Sequence, residues 1–268
     1  MDFDPDRPPA PPREAATVIL LRARKGDGAA EVLLLRRGGG APFMARSFVY
    51  PGGARDGDED LRATSARELF EEAGVLLADR ALDAARLAEW RARQAAGEAL
   101  AALLAEAEAS LALDRLLPFA HWITPSAERR RFSAHFFVGL LPPGQEASPD
   151  DAEMTEQRWL TPSDALAQAD ALELPPPQLR TLRELEPAAR RGPDAVLELA
   201  RARAPHLRPI VPRFAKVPAA PEGFALLLPW DHEYETLGTG AGDPFPQDHP
   251  LAGGASRFIR DPAGWRHV

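Results

Sequence analysis

At 268 residues, with 45% hydrophobic and 27% charged side chains, the chain has the size and composition of one large soluble globular domain, or one domain with a smaller appendage. Its net charge of −8 argues against a nucleic-acid backbone or an anionic membrane as main partner, since both require basic surface. There is no cysteine, so disulfide and thiolate chemistry are excluded, and the longest apolar runs fall far below the ~20 residues of a membrane span.

The start, MDFDPDRPPAPPRE, is acidic and proline-rich, unlike a targeting peptide, and a cytoplasmic location is the expectation. Residues 1–13 read as a flexible tail with too little apolar content to offset ordering entropy. Thr17–Leu21 and Glu31–Leu35 are β-rich runs separated by Lys25-Gly-Asp-Gly28, which predicts a hairpin. A third short strand, Ser47–Tyr50, ends at Pro51-Gly52-Gly53. Asp58 to Ala73 predicts a helix, with Asp58 or Asp60 as N-cap and Gly74 as the left-handed stop. At 100° per residue Ala63, Ala66, Leu69, Phe70 and Ala73 share one face, while Glu68, Glu71 and Glu72 fall on the other.

Residues 78–114 are rich in Ala, Leu, Glu and Arg and read as an inserted αα-hairpin. Leu82, Leu87 and Trp90 would line its first arm, and Leu100, Leu103, Leu104 and Leu111 its second. Strands follow at 119–124, 132–141 and 157–160, then helices at about 163–169, 176–185 and 193–204. The segment 205–268 is a Pro/Gly-rich extension with strand-like pieces at 224–228 and 256–260, expected to pack on the domain formed by residues 14–204. This order favours a mixed sheet flanked by helices over a parallel βαβ series.

The chemistry concentrates on the acidic helix. Magnesium and manganese take oxygen ligands, usually a few carboxylates with water and phosphate oxygens completing the shell. Side chains at i, i+3 and i+4 start only about 5–6 Å apart, so Glu68, Glu71 and Glu72 can converge on one or two ions. Such a cluster repels itself unless a cation fills it or water bathes it. Gly53 has no side chain to keep its carbonyl from approaching the same ion, and Arg67 could orient Glu68 or Glu59 through a charge-assisted bond. A lone E-x-x-E-E, by contrast, is commonly a solvated face.

Gly53, Glu59, Arg67, Glu68, Leu69, Glu71, Glu72, Gly74 and Val75 match every specified position of G-x5-E-x7-R-E-U-x-E-E-x-G-U, where U is apolar. By this box the chain resembles the Nudix hydrolases. The resemblance implies an α/β/α sandwich with a mixed sheet, here with a helical insertion and a C-terminal extension. It implies hydrolysis of a nucleoside diphosphate linked to a moiety X, a small-molecule substrate, with Mg²⁺ or Mn²⁺ as cofactor. It also implies Glu68, Glu71, Glu72 and the Gly53 carbonyl as metal ligands, with Arg67 in the catalytic set. Glu68 is the box position most often proposed as base, and a base can also come from outside the box.

A second resemblance, to acyl-CoA diphosphatase-like Nudix proteins with an insertion after the box, rests on several pieces. They include Leu33-Leu-Leu-Arg36, Phe43-Met44, Val49–Gly53, Trp122–Pro125, Glu156–Trp159 and Leu174–Gln178. It implies cleavage of CoA or acyl-CoA to 3′,5′-ADP and (acyl-)phosphopantetheine. The CoA signature L-L-T-x-R-S-x3-R-x3-G-x3-F-P-G-G wants Gly where Arg46 stands and Phe where Tyr50 stands. Arg37 and Arg46, flanking the loop before the box, and Arg131 are the candidates for substrate phosphate. The insertion would offer an acyl-binding surface, pack on itself, or make a homodimer. Rival substrates are ADP-sugars and NAD(H), and a rival class is a Nudix-fold ligand-binding or regulatory module without turnover.

Overall fold

The computed structural model describes residues 10–40, 44–218 and 220–268. Residues 1–9 of the expected tail and Phe43 lie outside the described residues. Two strands, β1 (Arg13–Ala23) and β2 (Ala30–Arg37), form the predicted hairpin, with Leu21 opposite Val32. β1 is longer than its apolar run suggests and starts inside the segment assigned to the tail. The Arg13 N–H donates to the Arg131 carbonyl at 2.9 Å.

Around this hairpin lie β3 (Phe48–Val49), β4 (Gly52–Ala54), β5 (Leu117–Ile123), β6 (Phe132–Leu140) and β7 (Met154–Leu160), completing a seven-stranded sheet. β1 and β6 run parallel while the other pairs are antiparallel, so the sheet is mixed, as expected. β4 is a strand where a turn was expected. Gly52 and Gly53 pair with Thr17 and Ala16 of β1, whose free backbone edge supplies the partners that two glycines cannot recruit by side-chain packing.

Strict alternation assigns the sheet's two faces. Ala16, Val18, Leu20, Leu33 and Leu35 pack with Ala66, Leu69 and Ala73 of α1 (Leu61–Ala73). Ile19, Leu21, Val32 and Leu34 face the opposite layer, α5 (Pro176–Ala189) and α6 (Pro193–Arg203), through Leu179, Leu182, Leu185 and Val196. The result is an α/β/α sandwich. The insertion contains α2 (Ala84–Ala95) and α3 (Leu100–Glu106), and Leu87, Trp90, Leu100, Leu103 and Leu104 bury against one another and against Phe70 of α1. A short α4 (Pro162–Ala167) follows β7.

Beyond residue 205 the chain forms a second sheet of β8 (Arg213–Lys216), β9 (Phe224–Leu227), β10 (Arg257–Asp261) and β11 (Gly264–His267), in the order β11-β10-β9-β8. Leu226 and Phe258 of this sheet, with Leu228, Phe245 and Leu251 of the connection between β9 and β10, share the core of the α5–α6 layer. Arg180 of α5 donates to the carbonyls of Leu251, Gly253 and Ala255. Among the described residues no helix is long and apolar enough to cross a membrane.

Candidate active site

Helix α1 begins where Asp60 accepts from the Arg62 and Ala63 amides and ends at Gly74, whose φ of 68° is the left-handed stop expected of it. The helix is buried on two sides: Leu69 and Ala73 meet the sheet, and Phe70 meets the insertion. The acidic side is therefore not the open, solvated face that helical periodicity alone suggests. Glu72 is only 4% exposed, and the Glu68 side chain is largely covered.

Arg67 sits among the carboxylates. Its Nη1 donates to Glu68 Oε1 at 2.9 Å and to Glu71 Oε2 at 3.2 Å, its Nη2 to Glu59 Oε2 at 3.2 Å and to the Ala54 carbonyl at 3.3 Å. Both of the partners expected for Arg67, Glu59 and Glu68, are engaged at once. Burial works against the guanidinium charge, yet Glu59, Glu68 and Glu71 together hold its pKa above the ordinary value. Glu72 turns the other way and accepts the Gly52 amide at 2.8 Å. With the carboxylates so divided, no three His, Asp or Glu side chains among the described residues already converge as a cation cage.

Burial pushes the Glu68 carboxyl up to about 7, assisted by the neighbouring Glu71 and Glu153 charges and opposed by Arg67. Desolvation likewise raises Glu71, and raises Glu72 well above the usual carboxylate range, against the opposing Gly52 amide and Arg37. Desolvated, mutually repelling oxygens of this kind fit a hard divalent cation, which would relieve both penalties. The backbone beside them fits too. A Cβ on Gly53 would lie 2.5 Å from the carboxyl carbon and both oxygens of Glu68, so only glycine leaves that strand in contact with the carboxylate.

Glu68, Glu71 and Glu72 form one end of a cleft of about 950 Å³. Its walls are α2, through Ala84, Leu87, Ala88, Arg91, Ala92 and Ala95, and the loop 144–153, which contributes Glu146, Asp150, Asp151 and Glu153. Glu153 thus stands near the cluster. Glu156 does not: it pairs with Arg158 at 2.8 Å and Arg36 at 3.6 Å.

The three candidate phosphate-binding arginines separate. Arg37 lies close enough to Glu72 to lower its pKa, and its Nε is buried with no hydrogen-bond partner among the described residues. Arg46 is exposed at the loop preceding β3 and holds a φ of 67°, the conformation glycine adopts without cost. Arg131 is withdrawn from the set: it is buried, and its guanidinium donates to the Thr124 and Ala10 carbonyls, bracing the sheet end instead of facing the cleft.

His135 is not among the residues that line the cleft. It stacks on His121 with ring centroids 3.9 Å apart. Sequence reasoning missed Arg91 and Gln94 on α2, both of which bond to the acidic helix. An Ala-rich amphipathic segment gives no signal of what its polar side chains meet.

The chain resembles known proteins in sequence and in fold. The family model described as the NUDT19 Nudix domain matches residues 55–185. Nudix hydrolase 7 of Caenorhabditis elegans is 31% identical over 154 residues, covering 54% of this chain and 52% of that protein. The acyl-coenzyme A diphosphatase NUDT19 of Xenopus laevis is 28% identical over 153 residues, covering 48% of this chain and 40% of that protein. The chain therefore spans about half the length, or less, of these curated relatives. A crystal structure of a Nudix hydrolase from Alicyclobacillus acidocaldarius superposes with a TM-score of 0.58 at 26% identity, over 72% of this chain and 96% of that one. With the complete box seated on the helix and strand that its spacing requires, the chain carries the box and the fold of the Nudix hydrolases.

Proposed function

We propose that the protein hydrolyses the diphosphate bridge of a nucleoside diphosphate linked to X, with CoA or acyl-CoA as the favoured substrate and 3′,5′-ADP and (acyl-)phosphopantetheine as products. The observation that carries this reading is the desolvated carboxylate cluster, packed against the side-chain-free backbone of Gly53 at one end of a deep cleft.

Glu68, Glu71, Glu72 and the Gly53 carbonyl would hold Mg²⁺ or Mn²⁺. Bound there, the cation would neutralise diphosphate charge and make water a stronger nucleophile near neutral pH. The water oxygen forms a new bond to one phosphorus and the bridging P–O bond breaks, its electron pair leaving with the second phosphate. Glu68 would take the water's proton, with Arg67, whose Nη1 donates to its Oε1 at 2.9 Å, holding it in orientation. Arg37, whose buried Nε has no partner among the described residues, would bond a diphosphate oxygen.

Three features support a CoA-type substrate. The resemblance to the NUDT19 domain covers the box from residue 55 onward and the insertion. The α2 wall is apolar along Ala84, Leu87, Ala88, Ala92 and Ala95, which suits a pantetheine or acyl arm. The two departures from the CoA signature are accommodated: Arg46 keeps a glycine-like backbone, and the Tyr50 hydroxyl meets Thr181 Oγ1 at 3.2 Å within the core. An ADP-sugar or NAD(H) is the second reading, favoured by the acidic rim of Glu146, Asp150, Asp151 and Glu153, which suits a nucleotide without the 3′-phosphate that CoA carries.

A panel of CoA, acyl-CoA, ADP-ribose and NADH with Mn²⁺ in H₂¹⁸O, read by mass spectrometry, identifies both X and the phosphorus attacked. Glu72→Gln is expected to lower kcat by about 10³-fold or more, an effect within the range of one preorganised charged group in a dry site. Turnover of ADP-ribose without CoA would overturn the CoA assignment. A Glu72→Gln variant within tenfold of wild type would overturn the role of the cluster.

A further inference from the structure

The carboxylates assigned above occupy the last two turns of α1, where a helix leaves four carbonyls unsatisfied and tends to fray. In this chain those carbonyls are satisfied, mostly from outside the helix. The Phe70 carbonyl accepts the Gly74 amide at 2.9 Å and the Ala73 carbonyl accepts the Ser148 amide at 2.9 Å. The two between them belong to Arg91 of α2. Its Nε and Nη2 donate to the Glu71 carbonyl at 3.2 and 3.0 Å, and Nη2 donates to the Glu72 carbonyl at 3.0 Å. The last turn of α1 contains no basic residue of its own, so this guanidinium supplies the cation that complements the negative helix end. Arg91 Nη1 then reaches Ser148 Oγ at 2.9 Å, fastening the opposite cleft wall to the same point.

One helical turn further, Gln94 Nε2 donates to Glu71 Oε1 at 2.6 Å. The orientation of this amide is chemically fixed, since the reverse would set a carbonyl oxygen against a carboxylate. Gln94 Oε1 is buried with no partner among the described residues, so the bond to Glu71 is what holds the side chain in place. A neutral donor suits this position. It fixes the carboxylate rotamer while leaving the negative charge for a cation, whereas a second positive side chain would compete.

We propose that Arg91 and Gln94 are positioning residues for the cation-binding carboxylates, and that the insertion serves the site by fixing Glu71 and Glu72 before an ion arrives. The inference rests on the reading of Glu68, Glu71 and Glu72 as cation ligands. Outer partners that orient ligands typically change metal affinity by about 10–100-fold when removed. A purely architectural α2, by contrast, would alter stability and leave affinity alone.

The test is direct Mn²⁺ titration of the full chain, monitored by the electron paramagnetic resonance signal of free Mn²⁺, without substrate. Gln94→Met keeps the side chain's length and removes the donor. Arg91→Lys keeps the charge and removes the fork. Arg86→Met, on the same helix and outside the site, is the control. Gln94→Met and Arg91→Lys are each expected to bind Mn²⁺ at least tenfold more weakly than wild type. Gln94→Met should also raise the Mn²⁺ concentration for half-maximal turnover while leaving kcat at saturating Mn²⁺ within threefold, with an unchanged melting temperature. Wild-type affinity, within twofold, in both variants would overturn the positioning role while leaving the cluster's role intact. If the wild-type chain itself shows no Mn²⁺ binding that Glu72→Gln removes, the reading of the cluster fails and this inference fails with it.

Discussion

Gly53→Ala isolates the chemistry of the box from its architecture. The added Cβ would stand 2.5 Å from the carboxyl carbon and both oxygens of Glu68, against an ordinary contact of 3.4 Å or more, so the carboxylate must retreat by about 1 Å. The three nearest atoms all belong to the end of one flexible side chain, and Gly53 has no positive φ that alanine would resist. Stability should therefore barely change, with a Tm shift below about 3 °C, since about 1 kcal/mol moves Tm by 2–4 °C in a chain of this size. Activity should respond strongly. A misplacement of about 1 Å at a reacting centre is worth about 10²-fold in rate. Steady-state kcat/KM on whichever diphosphate the panel identifies, measured beside a thermal melt, gives both numbers. An alanine variant within threefold of wild-type activity would refute the argument that close approach of strand and carboxylate matters. A large fall in Tm would refute the claim that the strain is confined to one side chain.

The adjacent glycine should behave in the opposite way. In Gly52→Ala the Cβ would meet the Ala16 carbonyl at 2.4 Å and Thr17 Cα at 2.7 Å, both backbone, at a φ of 157°; we expect a loss of about 3 kcal/mol or more in urea unfolding, and a loss below 1 would contradict the pairing. Glu184 bridges Arg180 at 2.7 Å and Arg203 at 2.8 Å, with all three side chains nearly buried. Glu184→Gln leaves two buried guanidinium groups uncompensated and should destabilise by about 3 kcal/mol; insensitivity would mean that solvent reaches the network. His267, 6% exposed and stacked on Phe258, is held neutral by burial and by Arg180 and Arg183, which push it down to about 3. Its folded pKa lies below the unfolded value, so its contribution is complete above about 6.5 and is lost as pH falls toward 3. At pH 5.5 His267→Phe should therefore regain about 1 kcal/mol relative to wild type, compared with pH 7.5. Parallel urea curves for the two proteins across that window would refute the shift.

Legibility followed how local each signal was. Helix α1 was readable because cap, stop and apolar stripe are all written within one segment, and the hairpin because alternation marks both strands. β4 was hidden: Pro51-Gly-Gly reads as a break, and only the stretch of β1 that β2 leaves unpaired, far away in sequence, turns it into a strand. β8 and β11 were missed for a related reason, since four-residue pieces such as Arg213-Phe-Ala-Lys show no usable period and depend on their neighbours. The carboxylate ladder could be seen in the sequence, but its burial could not, because that comes from Phe70 engaging an insertion that begins several residues later. Arg131 shows the converse hazard: a basic residue beside a strand reads as available, and two carbonyls, one of them at the far-off Ala10, claim it.

The segment after residue 205 carries a practical lesson for anyone shortening this protein. Its Leu226, Leu228, Phe245, Leu251 and Phe258 are woven into the same interior as α5 and α6, and Arg180 is tethered to three of its carbonyls. An expression clone trimmed to the catalytic box and its sheet would bare a greasy flank and strand a guanidinium, inviting inclusion bodies where a tidy minimal enzyme was intended.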